Sequence, residues 1–532
     1  MFQSKEILDQ EIWQSSHDTV AAASRPDVAI HYKRARSMWL HSGLSRNDIM
    51  DLTPKFWTFH FDWRPDLELV LDKLLKFDIC GGFMLTEVAH GLDARNLETT
   101  ATLLPDGSYD LHTPHIGAAK AMPPTTTYCE MPRVAIVFAR LVVNSKSHGL
   151  KPFLVSLTDA RGMRAGITSR ILPTRPGTKP LDHSLTTFNH VELPSTALLG
   201  SASKPENDRI EFLRQIWRVA VGTLSLSIMG ISAIKVGTRV AAVYSERRTI
   251  ASADGEGRKK IMSFTTQQLP IVEGWVQGKV LEAFAHWTID MCPDLTDPMH
   301  HALAAIFKAT VIRASQVLRP LGERCGWQGL FAFNQISELD LTFQGATIAE
   351  GDTLVLCIRF MSEVLGGNLD LPPARDRLSR LARHEEDLME DMKSRLVRIG
   401  GYDQHRSPAF DRYILPRCRL LAEAIGNRMA YEAAEKSGVS LEVLTLYERI
   451  CLCEDLDPVP VVEPMVQARV SSRSSDAYET VLAQIRSESA VTSDIDHYVT
   501  APITSDRSWG SFVNGLRVFK DPLETPTALS KL

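Results

Sequence analysis

The residues most suited to chemistry follow a short apolar run in segment 83–101. Thr86 and Glu87 come directly after apolar residues, and His90 and Asp93 lie on either side of a glycine a few positions later. A buried strand needs only apolar residues, and a surface turn needs only turn formers. Polar donors at this junction are therefore placed to meet a polar ligand, and we interpret the segment as one wall of a ligand site.

A second candidate for chemistry is the acidic residue Glu350. It follows Ile348 and Ala349 and precedes Gly351, so its carboxylate comes between an apolar run and a turn. This placement indicates the wall of a pocket, where a dry carboxylate suits acid–base chemistry. The alternative is an acid that complements the dipole at the N-terminus of a following helix.

Histidine and cysteine spacing gives no metal site. The neighbours His300 and His301 point in different directions if they lie on a helix, and no carboxylate motif accompanies them. Of the eight cysteines, only Cys451 and Cys453 are close together, and no second pair matches them. We predict no metal and reduced thiols, as in an intracellular protein.

Composition is typical of a globular protein. The 532 residues are 44% hydrophobic and 23% charged, enough for two to four structural units, and the net charge is -5. That balance lacks the electrostatic footprint of a nucleic-acid-binding protein. The longest apolar stretch, 219–234, is rich in Gly and Ser, which predicts a buried bundle helix rather than a membrane span.

The order of patterns along the chain predicts an α+β protein. Residues 1–78 have the spacing of short helices, and 79–204 contain apolar β-branched runs typical of a β-barrel-like domain. Residues 205–365 are helical, with one helix apolar on more than one face, as in a bundle. Residues 366–532 begin with amphipathic helices, and the Ser- and Pro-rich part beyond Asp457 is expected to be a loosely ordered extension.

Two of these segments resemble motifs of the acyl-CoA oxidase and acyl-CoA dehydrogenase superfamily. Segment 85–101 is similar to the flavin-facing pattern L-T-E-x-x-H-G-S-D-x-x-x-L-E-T-T-A, with Ala89 and Leu92 replacing a usual Gly and Ser. Segment 348–356 is similar to the E-G-D-N-T-V-L motif, with Thr353 and Leu354 where Asn-Thr is usual. The resemblance implies a β-barrel domain, a four-helix-bundle domain that carries FAD and the catalytic site, and the further C-terminal helical domain of the oxidases.

The reaction implied by the resemblance is α,β-desaturation of an acyl-CoA or related acyl thioester. A base removes the α-proton, FAD accepts hydride from the β-carbon, and O2 reoxidises the cofactor to give hydrogen peroxide. Glu350 matches the position of the family's base. Some relatives place that base on the central bundle helix, but segment 217–244 contains no Asp or Glu, which favours Glu350.

The resemblance also implies a set of FAD-binding residues. Thr86 and Gly91 match positions that contact the flavin ring, and Gly329 matches a glycine-rich turn along the cofactor. Arg248 and Gln268 are similar to a family arrangement whose arginine reaches the FAD of the neighbouring subunit, so we expect a homodimer. The alternatives are a strand threonine for Thr86, a solvated helix end for Arg248 and a helix C-cap for the turn at Gly329.

One wall of the expected flavin site departs from the family. The usual W-W-P-G-G-L-G-K-T stretch is missing, and segment 121–129 stands in its place, where Thr125 could donate to the flavin instead. The helical region 1–78 is also shorter than is usual. Two alternatives therefore stay open. One is another flavoenzyme on the same fold, such as a specialised dehydrogenase or a flavin monooxygenase. The other is a non-catalytic family member.

The chain ends in Ser530-Lys531-Leu532, which matches the C-terminal peroxisomal address. We predict recognition by the peroxisomal import receptor and a peroxisomal location.

Overall fold

A computed structural model describes residues 28–41, 65–129, 131–159, 162–175, 177, 179–216, 218–252, 255–292, 298–453 and 465–518. Much of the predicted N-terminal helical region and the whole tripeptide Ser530-Lys531-Leu532 lie outside these residues. Within them the protein combines helices and sheets in the predicted order, and the α+β fold class is confirmed. The boundaries between the four predicted domains stay a prediction.

Two helices precede the first strand. They are α1 (Val28–His41) and α2 (Pro65–Leu75). The strands that follow are β1 (Cys80–Met84), β2 (Thr100–Leu103), β3 (Tyr109–His112), β4 (Lys120–Pro124), β5 (Arg133–Val143), β6 (Lys146–Ser156), β7 (Thr158–Asp159), β8 (Gly162–Met163), β9 (Ile167–Ile171), β10 (His183–Phe188) and β11 (Val191–Leu193).

Strand β5 organises the larger of two main sheets. The parallel strands β1 and β2 pair with it, β6 pairs with it antiparallel, and β3 and β11 extend the sheet beyond β2. The smaller sheet has the order β4-β10-β9. Apolar residues of both sheets, such as Val137 and Phe188, share one core. The arrangement is barrel-like, and strand β1 leads directly into the polar segment that follows Met84.

The helical part begins with a short helix and then a very long one. Its elements are α3 (Asp208–Gln215), α4 (Arg218–Arg247), the hairpin of β12 (Thr249–Ala251) and β13 (Arg258–Lys260), α5 (Thr265–Met291), α6 (Pro298–Ala314), α7 (Leu318–Glu323), α8 (Ile336–Ala346) and α9 (Thr353–Leu365).

Helix α4 lies at the centre of these helices and packs against α5, α6, α7 and α8. Three of its glycines allow close contact: a Cβ at Gly222, Gly230 or Gly237 would lie within 2.7 Å of a neighbouring side chain. By length and composition α4 could cross a membrane, but 44% of its most apolar window is buried inside the protein. That burial fits the predicted core helix of a bundle.

The C-terminal helices are α10 (Arg380–Arg398), α11 (Pro408–Tyr413), α12 (Leu415–Lys436), α13 (Leu441–Cys451), α14 (Met465–Ser489) and α15 (Asp506–Asn514). Helix α12 packs against α5, α6 and α9, so these helices share one continuous apolar core with the bundle.

The expectation of a loosely ordered extension beyond Asp457 is wrong for the described residues of that region. Helix α14 buries Ala477, Tyr478, Val481 and Leu482 in the shared core. These residues have helical spacing, but a Ser-rich composition hid it. Tertiary burial, rather than composition, decides the order of this segment.

Candidate active site

The loop that carries Glu350 joins α8 to α9 and has an unusual backbone. Glu350 has φ +54° and Gly351 has φ +91°, both in the left-handed region. For a residue with a side chain this conformation costs about 1–3 kcal/mol unless the surroundings enforce it. The loop must therefore be held by specific contacts.

Three successive carbonyls of the loop accept hydrogen bonds from buried donors. Lys308 Nζ donates to the carbonyl of Ala349 at 2.7 Å and to that of Gly351 at 2.5 Å. Thr223 Oγ1 donates to the carbonyl of Glu350 at 2.7 Å. Lys308 is fully buried, and burial lowers its pKa to about 8. Helices α4 and α6 thus fix the backbone on both sides of the carboxylate.

The Glu350 side chain turns towards the first turn of α4. Arg218 Nη2 donates to Oε1 at 3.0 Å, and Arg218 Nη1 lies 3.3 and 3.4 Å from the two carboxylate oxygens. Gly222 provides the space, since a Cβ there would lie 2.4 Å from Cδ of Glu350. Burial raises the pKa of Glu350, while Arg218 and Lys308 act against this rise. The side chain keeps 24% of its surface exposed, so a ligand can reach it.

The alternative role for Glu350, complementing the following helix, belongs to another residue. Asp352 is the N-cap of α9, and its Oδ1 accepts a hydrogen bond from the backbone N–H of Val355 at 3.1 Å. Glu350 is directed away from that helix end and towards Arg218. The position of Glu350 at a pocket wall stays a prediction.

The polar segment after β1 approaches the same place. The guanidinium carbon of Arg218 lies 4.5 Å from the centre of the Phe83 ring, at the end of β1. Thr86 follows three residues later and is half-buried, and its carbonyl accepts a hydrogen bond from the N–H of Ala121. Gly91 is exposed, and a Cβ there would meet no atom within 4 Å. Phe83 thus brings the end of β1 close to the Glu350–Arg218 pair, while a direct role of Thr86 and Gly91 at the site stays a prediction.

Glu87 is fully buried and organises this segment from within. Its carboxylate accepts hydrogen bonds from the N–H groups of Glu98 and Thr99 at 2.8 and 3.0 Å and pairs with the buried Lys120 at 3.0 Å. Burial lowers the pKa of Lys120 to about 8, and Glu87 opposes this effect. Glu87 therefore has a structural role in the β domain.

Glu98 contacts two histidines near the exposed part of the polar segment that follows β1. Its Oε2 lies 3.1 Å from Nε2 of both His90 and His115. Hydrogen bonding by His90 is the main cause of a lowered Glu98 pKa. Within the described ranges, no group of three or more His, Cys, Asp or Glu side chains has the geometry of a metal site.

The remodelled segment is anchored to the β domain through its hydroxyls. Thr125 is 1% exposed, and its Oγ1 lies 2.7 Å from Ser169 Oγ and 2.8 Å from Thr186 Oγ1. Thr126 Oγ1 donates to Asp182, which also pairs with Arg133 at 3.1 Å. The Thr125 hydroxyl therefore already has two hydrogen-bond partners within the β domain. A direct contact between Thr125 and a flavin stays a prediction.

The remaining predicted cofactor residues lie at the opposite end of α4. Arg248 follows the last residue of α4 and is exposed, and Gln268 lies in the first turns of α5 beside it. Gln268 is buried, donates to the carbonyl of Met262 and accepts from Tyr478. Gly329 is buried. A side chain would not fit there, because a Cβ would lie 1.9 Å from the carbonyl oxygen of Gly322. A direct cofactor contact for Gln268 and Gly329 stays a prediction.

The two groups of predicted residues are far apart. Helix α4 has 30 residues, which corresponds to about 45 Å of helix between Arg218 and Arg248. Glu350 and the strand end that leads to Thr86 and Gly91 lie at one end, and Arg248, Gln268 and Gly329 lie at the other. A single chain therefore does not bring these two groups to one place.

No family model matches the chain. A putative peroxisomal acyl-CoA oxidase of Arabidopsis thaliana is 26% identical over 308 residues, which covers 53% of this chain and 46% of that protein. The chain thus spans about half the length of the curated relatives it matches. The structure is similar to Arabidopsis thaliana acyl-CoA oxidase 1, with a TM-score of 0.75 at 17% identity over 96% of this chain and 90% of that one.

The protein has the fold of the acyl-CoA oxidases, and its sequence is similar to those of curated acyl-CoA oxidases. A further structure on this fold is acyl-CoA oxidase-1 of Caenorhabditis elegans, complexed with FAD and ATP. It matches with a TM-score of 0.69 at 18% identity, covering 97% of this chain and 86% of that one. The predicted resemblance is confirmed.

Several residues that shape the site on this fold were missed by the sequence reasoning. Lys308 is the charged residue inside the otherwise apolar run 302–312, a pattern that could have indicated a buried and partnered lysine. Arg218 begins an apolar helix, where a cation opposes the helix dipole. Neither pattern reveals the partner, because Glu350 is more than forty residues from Lys308 and more than a hundred from Arg218.

Replacing Glu87 with Gln should destabilise the β domain strongly. The change keeps the volume but leaves the Lys120 ammonium buried without its carboxylate, which should reduce the free energy of unfolding by about 3–5 kcal/mol. Urea denaturation measures the loss. The control is Glu338→Gln, which removes an exposed pair with Lys179 and should change stability by at most about 1 kcal/mol. Equal small losses in both variants would show that the buried pair is not needed.

Proposed function

We propose that the protein is an FAD-dependent oxidoreductase that desaturates an acyl thioester, with acyl-CoA as the expected form, and passes electrons to O2 to give hydrogen peroxide. The observation that carries this proposal is the Glu350 carboxylate, which is bonded to Arg218 beside Phe83 at the end of β1. Relatives of the chain are acyl-CoA oxidases, which supports the substrate class.

Glu350 has the properties that an α-proton base needs. Its backbone is fixed by Lys308 and Thr223, so the carboxylate has little freedom to turn away from a bound substrate. Burial favours its neutral form and Arg218 favours its ionised form, a balance suited to a group that must gain and lose a proton. In the proposed reaction a carboxylate oxygen takes the proton from the carbon next to the thioester carbonyl.

The residues expected to hold FAD fit such a cofactor. The open space at Gly91 lets a flat ring approach the backbone, and Thr86 lies in the same segment. Arg248 is exposed and makes no ion pair with the described residues, so its guanidinium is available to a pyrophosphate. When bound, FAD would supply the acceptor for the hydride that leaves the β-carbon.

The distance along α4 favours a cofactor shared by two copies of the chain. About 45 Å of helix separates Arg218 from Arg248, so one flavin cannot meet both groups within a single chain. In a two-fold symmetric dimer the Arg248 end of one copy can complete the Glu350 end of the other. A homodimer with two composite sites is therefore part of the proposal.

A peroxisomal location completes the proposed function. Relatives include proteins named peroxisomal acyl-CoA oxidases, and the chain ends in Ser530-Lys531-Leu532. The import receptor that reads this address is the expected partner, and a location in peroxisomes would place hydrogen peroxide where it is consumed.

Replacing Glu350 with Gln should abolish turnover while leaving FAD bound. Visible spectra of the anaerobic holoenzyme are followed after addition of short-, medium- and long-chain acyl-CoA, and peroxide is measured in air. Wild type should lose its flavin bands, whereas Glu350→Gln should react roughly 10²- to 10⁴-fold more slowly because no base accepts the α-proton. Glu338→Gln serves as the matched control.

The outcomes separate the candidate functions. Bleaching of Glu350→Gln at the wild-type rate would refute the base assignment and favour flavin chemistry that needs no base. Flavin bands that persist in wild type with every acyl-CoA would favour a specialised thioester. A colourless protein, even after FAD is supplied, would favour a non-catalytic family member.

A mixed dimer tests whether the FAD site is shared. Chains carrying Arg248→Glu and chains carrying Glu350→Gln are co-expressed with different tags, and the hybrid is purified through both tags. Each homodimer should be inactive, but the hybrid contains one site with intact Glu350 and Arg248 and should recover about half of the wild-type rate. A hybrid as inactive as its parents would show that each site lies within one chain.

Deleting the last three residues should move the protein out of peroxisomes. A fluorescent protein fused to the N-terminus leaves Ser530-Lys531-Leu532 free, so the fusion should coincide with a peroxisomal marker. The deletion variant should be diffuse in the cytosol, while Thr527→Ala should keep the wild-type pattern. Identical patterns for the deletion and the wild type would argue against this address.

A further inference from the structure

Arg218 occupies a position that helix physics does not favour. It is the first residue of α4, where the positive end of the helix dipole disfavours a cation. The same dipole favours an ionised carboxylate close to this end of the helix. The placement of Arg218 therefore needs a reason outside α4, and its contacts with Glu350 and Phe83 supply one.

The guanidinium of Arg218 holds the carboxylate on one side and an aromatic ring on the other. Its two terminal nitrogens reach both Glu350 oxygens at 3.0–3.4 Å. Its carbon lies 4.5 Å from the centre of the Phe83 ring, a cation–π distance. A planar guanidinium that stacks on a ring and donates hydrogen bonds from its edge loses less conformational entropy per hydrogen bond than a lysine would in the same place. Arg218 is thus fixed from two domains at once.

The charged groups around Glu350 come from three elements. Arg218 belongs to α4, Lys308 to α6, and Asp352 to the start of α9. Lys308 donates to the loop carbonyls and Asp352 caps α9, so neither reaches the carboxylate itself. Among the described residues, Arg218 is the cation whose nitrogens lie within 4.0 Å of the Glu350 oxygens.

We propose that Arg218 is the positioning residue of the base: its guanidinium, stacked on Phe83, aims the Glu350 carboxylate and places a positive charge beside it. This inference rests on the proposed function of Glu350. A carboxylate has about four acceptor positions, so the oxygens bonded to Arg218 still offer others to the substrate proton. Arg218 acts through Glu350 and takes no proton itself.

The pH dependence of the reaction follows from the signs of the two effects. Burial raises the pKa of Glu350, and Arg218 opposes that rise. Without Arg218, the rise that burial causes in the Glu350 pKa is opposed less strongly. The pKa of Glu350 therefore rises further, and the carboxylate becomes protonated at higher pH. A protonated base cannot accept the α-proton, so activity on the acidic side is lost first.

The test is the pH profile of single-turnover flavin reduction by acyl-CoA in the holoenzyme. Replacing Arg218 with Gln should move the acidic limb to higher pH by about one to two pH units, the usual effect of losing an opposite charge at this distance. At high pH the rate should approach that of wild type, because the base is then ionised without help. Replacing Arg218 with Lys should restore part of the difference.

Arg209→Gln is the matched control, since Arg209 pairs with Glu363 at 3.6 Å and its loss should leave the profile unchanged. An Arg218→Gln profile that coincides with wild type would overturn the inference. A uniform loss of rate at every pH in both Arg218 variants would also overturn it, because that result indicates a merely structural arginine.

A second readout does not need turnover. A water-soluble carbodiimide modifies protonated carboxyls, and peptide mass mapping reports the extent at Glu350 as a function of pH. Half-maximal labelling should occur at higher pH in Arg218→Gln than in wild type. If no thioester reduces the wild-type flavin, the proposed function fails, and this labelling still decides whether Arg218 controls the carboxylate. Equal labelling curves would refute the inference.

Discussion

The position of Glu350 depends on Lys308, a buried ammonium that donates to the carbonyls on both sides of the acid. Burying an ammonium is unfavourable unless strong hydrogen bonds compensate. The charge-assisted hydrogen bonds to the carbonyls of Ala349 and Gly351 provide that compensation. With Thr223 on the middle carbonyl, the loop keeps a left-handed backbone that an unsupported residue would leave. The direction of the Glu350 side chain, and hence its access to Arg218, follows from this support.

Helix α4 gives the site its dimensions. Its first two turns supply Arg218, the space at Gly222 and the hydroxyl of Thr223 to one end of the bundle. Its last residue leads to Arg248, about 45 Å along the helix. One long helix thus contacts the base at one end and leads to the exposed arginine at the other. That separation is why the proposed cofactor site needs two copies of the chain.

The β domain presents its polar segment through an internal ion pair. Glu87 and Lys120 are both fully buried, and Glu87 also accepts two backbone N–H groups from residues 98 and 99. These contacts connect the strand end at Met84 with the strand start at Thr100, so the intervening loop is held at both ends. Thr86 and Gly91 lie in the segment that these contacts hold in place.

The sequence by itself determined the class of fold, the two motifs that carry Glu350 and Thr86, and the absence of an acid from segment 217–244 of the central helix, because these depend on residue type and local spacing. It failed for the helix at 465–489, whose apolar residues were hidden by a Ser-rich composition and whose order comes from burial against the bundle. Only the tertiary structure decided that Lys308 and Arg218 serve Glu350, that Thr125 is already satisfied within the β domain, and that the predicted cofactor residues fall into two distant groups. The physical reason is that each depends on contacts between residues far apart in the chain, and local spacing carries no information about them.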